Sequence, residues 1–174
     1  MPQLAAGEFT VLSNRTDFSK LFDEYHGLVF RTAYRITGSA ADAEDVLQTI
    51  FLRIIRRTSE LQVESKEKYF RRAAINASLD VLRAQKAGSA LPLVDVSCSS
   101  DESDRQAMRD CLRRALAKLT PRSAEIFALR HVEEFSNQEI ARMLDMSQVL
   151  VAVTLHRTRR RLQKEIRIEL GEKS

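Results

Sequence analysis

Residues 39–57 read SAADAEDVLQTIFLRIIRR, and residues 65–86 read SKEKYFRRAAINASLDVLRAQK. In the first stretch Ala43, Val46, Leu47, Ile50, Phe51 and Ile54 recur three and four apart, which predicts a helix with one buried face. Ser39 is its predicted cap. Asp42, Glu44 and Asp45 fill the first turn, facing the positive end of the helix dipole, and Arg53, Arg56 and Arg57 sit near the negative end. The opposite face carries Asp45, Gln48, Thr49 and Arg53. The second stretch predicts another helix, capped by Ser65, with Phe70, Ala73, Ala74, Ala77 and Val81 as its apolar positions. On this helix Tyr69 and Phe70 abut Arg71 and Arg72, and Asn76, Asp80 and Arg83 follow. Rings stack on bases, guanidiniums hold phosphate and amides read base edges, so this set suits unstacked nucleotides. The same residue types also make an ordinary solvated basic face, since mixed charge at helical spacing is common.

Working outward, 174 residues allow one or two small domains, each with its own core. Hydrophobic content is 44% with 6% aromatic residues, no tryptophan, five glycines and three prolines. That composition predicts an all-α protein with short turns, because strand-rich chains need more β-branched runs and more turn residues. The net charge is +4, and its placement says more than its size. Residues 17–88 carry +2, residues 89–104 carry −4 and residues 105–174 carry +6, so basic charge gathers where phosphate would be neutralised.

Residues 1–16 lack periodicity and read as a loose tail. A first helix is expected from Thr16 or Asp17 to just before Gly38, with Phe18, Leu21, Phe22, Tyr25, Val29, Ala33 and Ile36 as its core stripe. It should pack on the two helices above to complete an N-terminal domain over 17–88. The connection 58–64 is short and polar. From Gly88 to Asp104 glycine, Pro92 and serines punctuate the chain and it turns acidic, which marks residues 89–104 as a flexible linker. The C-terminal domain, 105–174, is expected to open with a capping box at Ser103-Asp104-Arg105-Gln106, followed by a stripe of Met108, Cys111, Leu112, Ala115, Leu116 and Leu119. Thr120-Pro121 restarts a helix containing Ile126, Phe127, Leu129 and Val132. Ser136-Asn137-Gln138-Glu139 is a second capping box, opening a short helix through Leu144. Asp145-Met146 is a turn, and Ser147 caps a last helix running toward Leu170. Two helices joined so tightly form a helix-turn-helix, whose second helix enters the major groove.

These motifs carry a resemblance. Asp42-Ala43-Glu44-Asp45-Val46-Leu47-Gln48 with Phe51-Leu52-Arg53, then Tyr69 to Asn76 and Asp80-Val81-Leu82-Arg83, resemble region 2 of bacterial sigma factors of the extracytoplasmic-function type. Leu119 to Arg122, Phe127 to Arg130, Ser136, Glu139-Ile140-Ala141, Leu144 and Leu155-His156-Arg157 resemble sigma region 4. The resemblance covers about 17–86 and 105–165. It implies a protein that binds core RNA polymerase and promoter DNA, with an anti-sigma factor as a further partner. By position, it implies that Asp45, Gln48 and Thr49 face polymerase. It places Tyr69, Arg72, Asn76 and Arg83 at the −10 DNA, with the loop before the second helix capturing a flipped base. It places Gln138, Ser147, Gln148, Thr154, His156, Arg157 and Arg160 at the −35 DNA. It also runs the linker near the polymerase active-site channel. Thr49 stands where the family usually has glutamate, and Tyr69 where it usually has tryptophan; tyrosine still stacks.

The departure is largest in the recognition helix. Gln148-Val149-Leu150-Val151-Ala152-Val153-Thr154 offers only Gln148 and Thr154 to base edges, whereas direct readout needs donors and acceptors. The basic run from His156 to Arg161, with Lys164, grips phosphate without specifying sequence. Three readings stay open: a −35 reader of relaxed specificity, a protein-binding surface, and burial of the apolar residues in the domain. Catalysis is not expected, because there is no glycine-rich phosphate loop, nucleophile with a base or metal-ligand cluster. No cofactor is expected either. Cys98 and Cys111 have no metal-ligand spacing and read as reduced, inert thiols. The absence of an export signal and of a membrane-length apolar run points to a cytoplasmic protein. The rivals in other classes are a helix-turn-helix regulator acting without polymerase and a helical adaptor for a partner protein.

Overall fold

The computed structural model describes residues 6–56, 65–88 and 101–171, with side chains described for 18–56, 65–87 and 104–171. Seven helices follow one another among these residues, with no strand. They are α1 (Ala6–Thr37), α2 (Ala40–Ile55), α3 (Lys66–Gly88), α4 (Asp101–Ala117), α5 (Pro121–His131), α6 (Asn137–Met143) and α7 (Gln148–Glu169). The connection 58–64, most of the expected linker and Cys98 lie outside the described residues.

The predicted caps are where local chemistry puts them. Ser39 Oγ accepts from the Asp42 amide at 3.2 Å, and Ser65 Oγ from the Lys68 amide at 3.3 Å. Thr120 caps α5 with Pro121 in the first turn, where its missing N–H costs nothing. Ser136 and Glu139 form the reciprocal capping box of α6, and Ser147 Oγ accepts from the Leu150 amide at the start of α7. Hydrogen bonds from the Ser136 hydroxyl and amide hold the Glu139 carboxyl below its ordinary value.

Two helix starts differ from expectation. Helix α1 begins at Ala6, ahead of Thr16, because once a helix is nucleated each added residue gains a hydrogen bond, and no proline interrupts the segment. Helix α4 begins at Asp101, so Ser103 lies inside the helix and does not cap it.

Helices α1, α2 and α3 enclose one core: Val29, Ala33, Ala43, Val46, Ile50, Phe51, Phe70, Ala74 and Ala77. Aromatic rings pack against one another within it. Phe51 lies 5.5 Å from Phe70 and 4.9 Å, edge-on, from Phe22, and Tyr25 stacks on Phe70 at 4.5 Å. Helices α4 to α7 enclose a second core, with Cys111, Ala115, Leu116, Ile126, Leu129, Ile140, Val151, Leu155 and Leu162 buried. The second core does not stop at α4. Ile36, Ile75, Leu79 and Leu82 belong to it, so α3 has two apolar faces, one toward each core. Ile36 therefore leaves the α1 stripe to which periodicity assigned it. Met108 is 46% exposed, outside the α4 stripe. Cys111 is buried, and burial followed by the nearby Glu169 charge pushes its thiol up, so it stays protonated and unreactive.

The ends of α4 and α7 are clasped by charge. Arg114 Nε donates to Glu169 at 2.7 Å, and Lys118 Nζ donates to Glu165 at 2.9 Å and Glu169 at 3.0 Å. Burial alone would raise the Glu169 carboxyl, but the hydrogen bonds and charges of Arg114 and Lys118 outweigh it and hold it low. A carboxyl whose folded value is lowered contributes stability above its unfolded value and loses it as pH falls through the folded one. Glu169→Gln is therefore expected to lower the urea midpoint at neutral pH, by about 1 kcal/mol or less for so accessible a cluster. The gap between variant and parent should close as pH drops below roughly 4. A gap that persists at low pH would show that the charge of Glu169 is not what stabilises the clasp.

Candidate nucleic-acid and polymerase interface

Helix α2 presents its polar side to solvent because its buried residues, Ala43, Val46, Ile50 and Phe51, occupy the other side. Asp45 and Gln48 are exposed and Thr49 is half-buried. Two residues that sequence reasoning did not assign to this face join them. Leu52 is 49% and Ile55 55% exposed, and 45, 48, 52 and 55 follow one helical stripe. Their signal was legible as an apolar pair out of phase with the buried one. An exposed leucine and isoleucine beside a carboxylate and an amide suit a protein partner better than solvent.

On α3, Tyr69, Arg72, Asn76 and Arg83 fall on one side of the helix, along the seam between its two apolar faces. Tyr69 is partly buried, edge-on to Phe70 at 5.6 Å. The structure brings Arg72 and Asn76 together on a single acceptor: Arg72 Nε donates to Glu125 Oε1 at 2.6 Å and Asn76 Nδ2 to the same oxygen at 3.0 Å. Arg83 lies further along, paired with Asp80 at 2.9 Å, and its second guanidinium nitrogen is buried without a hydrogen-bond partner. Arg71 is held by Glu67 and Glu133. Sequence reasoning missed Glu125 and Glu133 altogether.

Helices α6 and α7 form the expected two-helix reader. The turn between them passes through Asp145 at φ 51°, a left-handed conformation that aspartate tolerates better than most residues, and Arg122 donates to the Leu144 carbonyl at 2.8 Å to anchor it to α5. Gln138, Ser147 and Gln148 are exposed at the helix starts, although Ser147 Oγ is occupied as a cap. Thr154 is half-buried; His156, Arg157 and Arg160 are exposed. Val151, Leu155, Thr158 and Leu162 point inward. Val149, Leu150 and Val153 are 73%, 49% and 39% exposed, which removes core burial as their explanation. At 100° per residue, Val149, Val153, Arg157, Arg160 and Lys164 lie along one face opposite the buried stripe. That face is apolar at its N-terminal end and basic at its C-terminal end. Arg159 and Arg161 are partly spoken for, at 3.3 Å from His131 Nε2 and 3.2 Å from the Lys118 carbonyl.

No grouping of three or more His, Cys, Asp or Glu that could hold a metal ion occurs among the described residues, and no helix there is long and apolar enough to cross a membrane.

Comparison with known proteins adds an independent observation. A model of Sigma-70 region 2 matches residues 21–88, and one of Sigma-70, region 4 matches residues 109–162. The RNA polymerase sigma-E factor of Streptomyces coelicolor is 32% identical over 152 residues, covering 83% of this chain and 85% of the relative. The ECF RNA polymerase sigma factor SigM of Mycobacterium tuberculosis is 28% identical over 155 residues, 88% of this chain and 79% of its own length. SigW of Bacillus subtilis is 22% identical over 166 residues, 86% and 89% of the two chains.

Proposed function

We propose, from the premise that this chain belongs to the extracytoplasmic-function sigma factors of the sigma-70 family, a division of a sigma factor's work among three helices. The protein binds core RNA polymerase and directs it to promoters, where it takes part in DNA recognition and opening. The observation that carries this is the order of the two matched regions along one chain, a region 2 core on α1–α3 followed by a region 4 helix-turn-helix. A regulator acting without polymerase would need neither the α2 face nor the α3 kit. The protein is a transcription initiation factor acting in the cytoplasm, where polymerase is, over domains 17–88 and 105–174.

Helix α2 is the polymerase-docking element. Its exposed stripe of Asp45, Gln48, Leu52 and Ile55 combines polar register with apolar area, the composition of a protein interface core and rim. Helix α3 is the −10 element: Tyr69 stacks a base, Arg72 and Arg83 hold phosphate, and Asn76 reads an edge. Helix α7 lies in the −35 major groove, with Gln148 and Thr154 the groups able to reach base edges, Gln138 of α6 and the cap Ser147 beside the DNA, and His156, Arg157 and Arg160 along the backbone.

Run-off transcription with core polymerase, with start sites mapped afterwards, tests the function as a whole; no promoter-dependent transcript would refute it. For the docking face, Asp45→Ala with Gln48→Ala should weaken co-purification with core enzyme about tenfold while leaving helicity unchanged, as removal of two well-placed interface groups does. Adding Leu52→Ala should weaken it further. Parent-like binding by the double variant would remove α2 from the interface.

A further inference from the structure

A cleft of about 640 Å³ lies between α1 and the end of α5, and no residue assigned above to polymerase or DNA lines it. That volume is in the range of small-molecule sites. Three arginines line it, Arg31, Arg35 and Arg71, against two glutamates, Glu133 and Glu134. The two acids are not equivalent. Glu133 has a fully buried side chain whose charge is met within the protein: it accepts from Thr32 Oγ1 at 2.8 Å and from Arg71. Glu134, where the chain turns at φ 60°, makes no ion pair among the described residues. The arginines differ in the same way. Arg71 is engaged by Glu67 and Glu133. Arg35 stands 3.9 Å from Glu133 and donates to the Val132 carbonyl at 3.4 Å, with 58% of its side chain exposed. Arg31 is exposed and makes no hydrogen bond or ion pair among the described residues. Its guanidinium lies back over Gly27, where an added Cβ would stand 3.1 Å from one of its nitrogens. His131 closes the cleft on the α5 side. Burial first, and then the charges of Arg159 and Arg130, hold its imidazole below the ordinary value. Neither of those arginines pairs with a carboxylate among the described residues: Arg159 approaches His131 Nε2 at 3.3 Å, and Arg130 donates to the Phe135 carbonyl at 3.0 Å.

We propose that this cleft is a binding site for a small phosphorylated ligand of nucleotide size, with Arg31 and Arg35 holding its phosphates. A guanidinium takes phosphate oxygens in pairs, and two guanidiniums one turn apart on α1 suit adjacent phosphates. Arg130 and Arg159 add attraction from the opposite wall, since no acid there cancels them. Glu133 does not oppose an anion, because Arg71 meets its charge. Glu134 does oppose it and limits the affinity. The rest of the ligand has an apolar wall in Leu28 and Val132. The lowered value of His131 keeps its ring neutral near pH 7, so the imidazole supplies contact surface and hydrogen bonding there, not charge. Because α1, α3 and the end of α5 all contribute to the lining, an occupant stabilises the folded chain by mass action.

The test is calorimetric titration of the full-length protein with ADP. Saturable binding at one site is expected, with a Kd of about 100 μM or tighter. The thermal midpoint should rise with ADP concentration. Inorganic pyrophosphate should bind several-fold more weakly, since it leaves the apolar wall uncovered. Arg31→Ala with Arg35→Ala should weaken ADP binding by about tenfold or more, as loss of charged hydrogen-bond donors does. Arg31→Ala alone removes no contact among the described residues, so it gives the same direction of change should the double variant lose helicity. Glu134→Gln should tighten binding by about threefold, because it removes the opposing charge at an accessible position. Arg167→Ala, an exposed cation outside the cleft, should leave ADP binding unchanged. Absence of saturable binding overturns the site. Pyrophosphate binding as tight as that of ADP overturns the nucleotide-sized ligand, and an equal loss in Arg167→Ala reduces the effect to general attraction of anions by a basic protein. None of these readouts involves polymerase or promoter DNA, so failure of the site leaves the sigma reading untouched.

Discussion

Tyr69→Ala is expected to shrink the transcription bubble on a duplex promoter, with partial rescue on a pre-melted template. The aromatic ring supplies a platform for an unstacked base, and such platforms contribute roughly 1–3 kcal/mol each. Opening should therefore fall by between about fivefold and 150-fold, read by permanganate reactivity of unpaired thymines. Arg72→Ala and Asn76→Ala should each reduce opening as well, but by a different route. Both side chains are held by Glu125 in the free chain, so their removal also loosens the contact between domains. Their effects thus combine lost DNA contacts with a loosened contact to α5, whereas Tyr69, packed edge-on against Phe70, reports on the DNA contact more directly. Phe70 must be left in place in any such series. It is fully buried among Phe51 and Tyr25, and its truncation would cost about 3–5 kcal/mol of folding stability, obscuring the role of its neighbour. An unchanged bubble in Tyr69→Ala on duplex DNA would remove this residue from the melting step.

The contrast between Tyr69 and Glu125 shows what the sequence discloses and what it withholds. Caps are local chemistry: Ser39, Ser65, Thr120, Ser136 and Ser147 each satisfy an amide three residues on, and a reader of the chain finds them without knowing the fold. The Tyr69, Arg72, Asn76 and Arg83 stripe is legible for the same reason, since helical periodicity alone aligns it. Helix α3 itself was only half legible. Its second apolar face, Ile75, Leu79 and Leu82, blurs a single-stripe reading, because a helix buried on two sides loses the clean alternation that marks a surface helix. Glu125 and Glu133 were not legible at all. A glutamate within a charged helix reads as solvated, and only contacts 53 residues back to Arg72 and 101 back to Thr32 bury these two. The recognition helix falls between these cases. The inward stripe of Val151 and Leu155 was predictable, but exposure of Val149, Leu150 and Val153 depended on which face met α5 and α6.

That exposed face leads to the second large effect, on −35 binding. Among the arginines of α7, Arg157 and Arg160 are exposed, carry no partner among the described residues and share the outward face with Val149 and Val153. Arg159 and Arg161 are engaged within the domain. Affinity of the holoenzyme for the −35 region should accordingly depend on the first pair, and each lost phosphate contact should reduce the slope of log K against log salt by about 0.9. Arg157→Ala with Arg160→Ala is expected to lower that slope by about twice this amount and to weaken binding similarly on every −35 sequence. Sequence preference should be slight, because valine and leucine side chains have no hydrogen-bonding group for a base edge and meet only the thymine methyl. Replacing −35 thymines by deoxyuridine removes that methyl and nothing else. One methyl taken out of an apolar contact corresponds to about 0.8 kcal/mol, or roughly fourfold in affinity, and Val149→Ala with Val153→Ala should erase the difference. Ala152→Lys with Thr154→Arg should raise affinity, and should raise specificity only if α7 sits in the groove in the family's orientation. The measurements belong on the full chain with core enzyme, since excising 105–174 would strip Ile36, Ile75, Leu79 and Leu82 from the core of the C-terminal half. Strong discrimination among −35 sequences, lost on changing Gln148 or Thr154, would show polar readout in place of the methyl contact. Absence of any −35 contribution at low salt would assign the apolar face of α7 to a protein partner.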